Sequence, residues 1–224
     1  GVFHPRDMTR SQKRRRRFLD RDGALGRGAV ISCLENIRAE VSASIATKQQ
    51  LLEDEKLLCQ VEALALQCNR TLGSGGKIIF AGNGGSFADA QHLSAEFVSR
   101  FRFDRAPLAS IALGTNNSAI SAIGSDYGYD QVFSRELEAI ARTGDLFVGI
   151  STSGNSPNIL AAVGKALALG IGVVCLTGRS GGELSNLCEC LRMPSDETAR
   201  IQECHITVGH IVCGLVENLY FSER

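Results

Sequence analysis

Residues 77–97 read KIIFAGNGGSFADAQHLSAEF. Residues 77–82 have the length and composition of a buried strand, and a turn of Asn83, Gly84, Gly85 and Ser86 follows it. The rest has helical spacing and carries His92 and Glu96 four residues apart. A glycine-bearing turn that leads from a strand into a helix aims unpaired backbone N–H groups at whatever sits above it, which favours anions. On that helix His92 and Glu96 share one face, about 6 Å apart along the axis.

The pattern repeats downstream. Short apolar runs at residues 108–113, 145–152 and 171–178 read as further buried strands, and residues 188–194 read as a last edge strand stopped by Pro194. Helical segments are predicted at 86–101, 117–124, 131–142 and 156–169, and a long amphipathic helix closes the chain. Strands alternating with helices imply an α/β three-layer sandwich, with a five-stranded parallel sheet flanked by helices. Residues 30–72 add N-terminal helices, which Gly73 and Gly76 bring to an end. The expected organisation is a basic tail over residues 1–29 and a single domain over residues 30–224. In such sheets ligands bind beyond the carboxyl ends of the strands.

Charge and cysteine content narrow the function classes. Residues 1–30 hold nine Lys/Arg against three Asp, so the rest of a chain of zero net charge is −6. That argues against nucleic-acid binding by the folded part and leaves the arginines at 14–17 in a solvated tail. The eight cysteines include no CxxC pair and sit mostly in apolar runs, which suits buried free thiols in a reducing, cytoplasmic setting. No apolar stretch reaches the length of a membrane span.

A second junction, Ser151, Thr152, Ser153, Gly154, Asn155 and Ser156, carries four hydroxyls in six residues. One hydroxyl suffices for a helix cap. Four around a glycine make a cradle of neutral donors for a monophosphate. The chain lacks both GxGxxG spacing and the lysine of GxxxxGK[ST], so dinucleotide and ATP readings lose ground.

The stretches AGNGGS and ISTSGNSPNIL, each at a strand end, resemble the sugar isomerase (SIS) domain family. GNGGSFADAQHLSAEFVSRF, GSDYGYDQVFSRELEA and PSDETARIQECHITVGHIVCGLVE are similar to its phosphoheptose isomerases, over about residues 45–220. The resemblance implies conversion of D-sedoheptulose 7-phosphate to D-glycero-D-manno-heptose 7-phosphate, a precursor of lipopolysaccharide or capsule. Moving a carbonyl between C1 and C2 requires a base at the carbons, an acid at the oxygens and a fixed phosphate. The resemblance makes Glu96 and His210 the acid–base pair. It places Ser86, Ser151, Thr152, Ser153 and Ser156 on the phosphate, Asn83 with the Gly84–Gly85 turn on the sugar, and Arg100 and Gln202 beside the substrate. It further implies one Zn²⁺ per subunit, held by His92, Glu96, Gln202 and His210. Gln202 and His210 lie about 12 Å apart along a single helix, which is far for one ion. His205 has no family role and reads as a packing histidine.

Three departures and alternatives remain. Some relatives carry an Asp where this chain has Thr115, Asn116 and Asn117, so that loop receives no catalytic role. Phe18–Leu19–Asp20–Arg21–Asp22–Gly23 resembles the nucleophile loop of haloacid-dehalogenase-type phosphatases, but no strand precedes it. A non-catalytic adaptor or regulator of this family, or an isomerase of another phosphosugar, is the competing reading. The last helix is apolar on more than one face, from Ile201, Ile206 and Val208 to Ile211, Leu215 and Leu219. One sheet covers only one stripe of such a helix, so a homo-oligomer is expected, and the resemblance makes it a tetramer.

Overall fold

The computed structural model describes residues 27–222. The arginine run at 14–17 and the phosphatase-like segment at 18–23 lie outside them. Seven α-helices occur among the described residues: α1 (Arg27–Glu53), α2 (Glu55–Gly73), α3 (Gly85–Val98), α4 (Asn117–Tyr127), α5 (Val132–Ile140), α6 (Pro157–Ala168) and α7 (Thr198–Ser222). The strands are β1 (Ile78–Gly82), β2 (Ser110–Ala112), β3 (Leu146–Ile150), β4 (Gly172–Thr177) and β5 (Glu189–Arg192). The chain divides into two units, Gly1–Ile45 and Ala46–Arg224, and the second carries the whole sheet. In the first, α1 presents Leu34, Ile37, Val41 and Ile45 at helical spacing, each 51–63% exposed.

The sheet has the order β2-β1-β3-β4-β5, and every neighbouring pair is parallel. β1 and β3 are buried along their full length, which is why both are written as unbroken apolar runs. Their side chains alternate between two cores. Ile78, Phe80, Val148 and Leu176 meet Leu64, Leu93, Phe97, Val208 and Val212 from α2, α3 and α7. Ile79, Phe147 and Cys175 meet Phe133, Leu137, Ile159 and Val163 from α5 and α6. The predicted three-layer sandwich is therefore present, five strands included. The chain winds outward to β2 on one side of β1 and to β4 and β5 on the other side of β3. The junctions after β1 and β3 consequently face one crevice, where such sheets take their ligands.

Element ends differ from the sequence reading by one to three residues, and two helix ends have a clear physical cause. The N-terminal helical stretch breaks at Asp54, whose side chain accepts the Leu57 N–H at 3.0 Å and caps α2, an aspartate's ordinary use at a helix start. The helix expected over 86–101 stops at Val98, so Arg100 falls beyond it. The cause is Arg105. Its guanidinium donates to the Glu96, Phe97 and Ser99 carbonyls at 2.7, 2.7 and 3.0 Å and satisfies the exposed end of α3.

Arg105 also joins α3 to α7. Its Nε lies 2.9 Å from Glu217 Oε1, with the two side chains 3% and 1% exposed. The Phe101 and Arg102 N–H groups donate to the same carboxylate at 3.0 and 2.8 Å. Burial pushes the Glu217 carboxyl up, but these three donors outweigh it and hold it below its ordinary value. A carboxyl depressed in the folded state adds stability that is complete above the unfolded-state pKa, near pH 4.5. That contribution is lost as pH falls through the folded value. Glu217→Leu leaves Arg105 Nε and two backbone donors buried without an acceptor. Urea unfolding at neutral pH should show a loss of about 3–5 kcal/mol, and a loss under about 1 kcal/mol would contradict this role.

Candidate active site

The first junction is shaped by Gly84, whose φ of +56° is in the left-handed region and costs a glycine nothing. The turn starts α3 at Gly85 and buries Ser86. Asn83 reaches across the crevice to the second junction. Its amide and that of Asn158 exchange hydrogen bonds at 2.8 and 2.9 Å, and the Tyr129 hydroxyl donates to Asn83 Oδ1 at 3.2 Å. Asn158 is 2% exposed, so the two loops are pinned together by a largely buried amide pair.

At the second junction Ser156 holds the N-cap position of α6, with Pro157 in the first turn, yet its side chain makes no capping bond. Ser156 Oγ instead lies 2.8 Å from Ser151 Oγ, and Ser153 Oγ accepts the Asn155 N–H at 3.1 Å. The simple capping explanation of this serine-rich stretch is thereby removed. The loop is fixed from the β4 side: Gly178 N donates to Thr152 O (2.9 Å), Leu184 N to Gly154 O (3.0 Å) and Glu183 N to Asn155 Oδ1 (2.8 Å). Gly154 has φ +68°, and a Cβ there would overlap the Gly181 carbonyl. The structure thus gathers hydroxyls at a helix N-terminus on a loop braced from the β4 side.

α3 and α7 pass this crevice side by side and in the same direction. Gly85 meets Gln202, His92 meets His210, and the segment after α3 meets Glu217. His92 Nε2 is 2.8 Å from His210 Nε2 and 3.5 Å from Glu96 Oε1, so a base, an acid and a second imidazole share one point. The Phe101 ring stacks on His210 with centroids 5.4 Å apart. The axial gap between Gln202 and His210 persists in this pairing, because the Gln202 amide sits at the start of α3 and His210 two turns further on. Arg100 is exposed beyond the end of α3.

Whether these residues suit a metal follows from the same distances. Two imidazole nitrogens, a carboxylate and an amide oxygen are donors zinc accepts. Donors on tetrahedral zinc sit about 3.3 Å apart, and the His92–Glu96 separation of 3.5 Å matches. The 2.8 Å between the imidazoles is a hydrogen-bond length, so the rings would part by about 0.5 Å to take an ion. Among the described residues no group of three or more His, Cys, Asp and Glu encloses a metal position as it stands. His92, Glu96 and His210 fit by donor chemistry and a small ring movement, whereas Gln202 is set two turns away at the start of α3.

Sequence reasoning passed over several neighbours. Asp89, one turn before His92, has Oδ2 buried without a partner; burial pushes its carboxyl up and His92 pulls it back. Its i,i+3 spacing to His92 was the available signal. Asn158 and Tyr129 left no spacing signature, because their partner Asn83 is 75 and 46 residues away. His205 is a packing residue as expected: it is fully buried, its Nε2–H donates to the Thr177 carbonyl at 3.1 Å, and burial lowers its pKa to about 4.

Comparison with known proteins agrees with this geometry. A SIS-domain family profile matches residues 41–178. The phosphoheptose isomerase of Aneurinibacillus thermoaerophilus is 50% identical over 189 residues, covering 84% of this chain and 96% of that protein. The solved phosphoheptose isomerase of Neisseria gonorrhoeae superimposes with a TM-score of 0.76 at 41% identity, over 83% of this chain and 99% of that one. The Francisella tularensis enzyme gives 0.79 at 34% identity, over 83% and 98%. This chain belongs to the SIS-domain family and, within it, to the phosphoheptose isomerases.

Proposed function

We infer that the chain is an aldose–ketose isomerase converting D-sedoheptulose 7-phosphate to D-glycero-D-manno-heptose 7-phosphate through an enediol. The observation that carries the reading is the meeting of Glu96, His92 and His210 within 3.5 Å of one nitrogen, next to a hydroxyl-lined cradle at the sheet's switch point. The substrate's phosphate fits residues 151–156, where Ser151, Thr152, Ser153 and Ser156 supply hydroxyls and α6 its N-terminal field. Ser86 and the Gly84–Gly85 turn close the cradle from β1. Asn83, already oriented by Asn158 and Tyr129, is placed to read a sugar hydroxyl. Held at one end, the sugar presents C1 and C2 to the α3–α7 face. Glu96 takes the proton from one carbon and returns it to the next, while His210 moves a proton between the two oxygens. The isomerase therefore needs no redox cofactor, since the carbonyl shift is internal to the substrate.

For Glu96→Gln and His210→Asn we expect kcat to fall by about 10²-fold or more, with the circular-dichroism spectrum unchanged. Turnover near the parent level in either variant would remove the assigned roles. Product analysis across pentose, hexose and heptose phosphates tests the substrate, and conversion of a shorter sugar in preference to the heptose would redirect the reading.

We also propose one Zn²⁺ per subunit, held by His92, Glu96 and His210. When bound it would polarise the substrate carbonyl. Elemental analysis of protein purified without chelator should find about one equivalent, and full activity in a metal-free preparation would end this part of the proposal.

A homotetramer is likewise proposed. Ile211 and Leu215 on α7 are 38% and 37% exposed, and the α1 stripe from Leu34 to Ile45 is exposed too, so two helices offer apolar surface without a partner among the described residues. Light scattering should give about four times the 24.0 kDa chain mass, whereas a fully active monomer would overturn the assembly. A cytoplasmic location fits the free thiols and the lack, among the described residues, of any helix long and apolar enough to cross a membrane. Cell fractionation would check it, and recovery outside the cytoplasm would contradict it.

A further inference from the structure

Three thiols that the isomerase reading leaves unused meet at the far edge of the sheet. Cys175 on β4 is fully buried, and its Sγ lies 3.5 Å from that of Cys188, just before β5. Cys190, on β5, is the register partner of Cys175, which puts the Cα atoms of these adjacent strands about 4.8 Å apart, within the span a disulfide bridges. All three lie in the α5–α6 core layer. The cluster is not sealed. Cys188 and Cys190 line a cleft of about 380 Å³ together with Lys56 and Arg192, and with the carboxylates of Asp54 and Glu189. Two cations and two carboxylates make the cleft polar without a net charge, which suits a small neutral reactant. Hydrogen bonds from Cys175 and Cys188, offset by burial and helped by Arg192, lower the Cys190 thiol, while its two neighbours are raised. Cys190 borders the cleft and is the register partner of buried Cys175, so a thiol within reach of solvent has a resolving thiol beside it, as oxidisable cysteines require.

The position has a mechanical consequence. The segment between Cys175 and Cys188 is the one that donates from Gly178, Glu183 and Leu184 to Thr152, Asn155 and Gly154. Closing a disulfide needs sulfurs about 2.05 Å apart. A bond between Cys175 and Cys190, register partners on β4 and β5, ties the two ends of the stretch that holds this segment. We propose that Cys175, Cys188 and Cys190 form a peroxide-reducing thiol cluster whose oxidation to a disulfide loosens the 151–156 cradle. The Cys190 thiolate attacks the distal oxygen of a hydroperoxide; the O–O bond breaks, the sulfur becomes a sulfenic acid, and the alkoxide takes a proton to leave as alcohol or water. Cys175 then attacks the sulfenic sulfur, forming the S–S bond and releasing water. The sum is two thiols oxidised by two electrons and one hydroperoxide reduced. A dithiol reductant restores the thiols.

The effect on the cradle rests on the isomerase reading, whereas the thiol chemistry does not. The native full-length protein is exposed to a small molar excess of hydrogen peroxide, quenched with N-ethylmaleimide and mapped by peptide mass spectrometry. We expect a disulfide joining Cys175 and Cys190, formed about tenfold or more faster than oxidation of the exposed Cys59. Cys190→Ser should abolish it. If that variant does not fold, Cys188→Ser and the mapping of the parent protein still decide. A cluster that stays reduced while Cys59 oxidises, or one that oxidises equally fast without Cys190, would overturn the proposal. Oxidised parent enzyme should show KM for the sugar phosphate raised several-fold, restored by dithiothreitol. A disulfide that forms with KM unchanged would overturn the link to the cradle, and a reduced protein with no isomerase activity would count against the proposed function and not against the thiols.

Discussion

The buried pair of Arg105 and Glu217 sets the position of everything that matters in the crevice. Two charges taken out of water are costly, and such a pair persists only when its remaining hydrogen-bonding capacity is used. Here Glu217 accepts from Arg105 and from two backbone N–H groups, while Arg105 also ends α3 by taking its last carbonyls. One guanidinium therefore fixes where α3 stops and which stretch of α7 lies beside it. With those two helices locked in parallel, His92 must fall opposite His210 and Gln202 opposite Gly85. The chemistry of the site depends on a contact that touches no substrate.

The other half of the crevice obeys a different constraint. Parallel strands that wind outward in opposite directions from β1 and β3 leave a gap at their carboxyl ends, and the two junction loops occupy it. The Asn83–Asn158 amide pair holds them in register with each other, and the segment after β4 supports the second loop from behind. A phosphate cradle made of hydroxyls and backbone needs such bracing, because neutral donors bind only when they already point the right way.

Much of this was legible in the sequence, for reasons that separate cleanly. Strand and helix alternation shows in the apolar periodicity, because buried parallel strands must be continuously apolar. The two junction loops show because glycine and clustered hydroxyls are local signals. Glu96 four residues after His92 is local too. What escaped is long-range. The end of α3 at Val98 is decided by Arg105 and, through it, by Glu217, 112 residues downstream. The gap of about 12 Å along α7 (from helix rise) is kept beside α3, where Gln202 lies at Gly85 and His210 at His92. The thiol cluster joins Cys175 to Cys188 and Cys190 across a strand pairing that no spacing rule reveals. The break at Asp54 was within reach, since an aspartate three residues ahead of Leu57 is a helix-start signal even inside an apolar-periodic run.

The central claim is that a base on α3 and an acid on α7 pass protons through an enediol while the phosphate is held at the sheet. Isomerisation of D-sedoheptulose 7-phosphate in D₂O, followed by proton NMR, addresses it directly. A base exposed to solvent between removing and returning the proton exchanges it, so the account predicts deuterium on C2 of the aldose product and, on the return reaction, on C1 of the ketose. Complete isomerisation with no deuterium at either carbon would mean that hydrogen moves directly between them, and would contradict it.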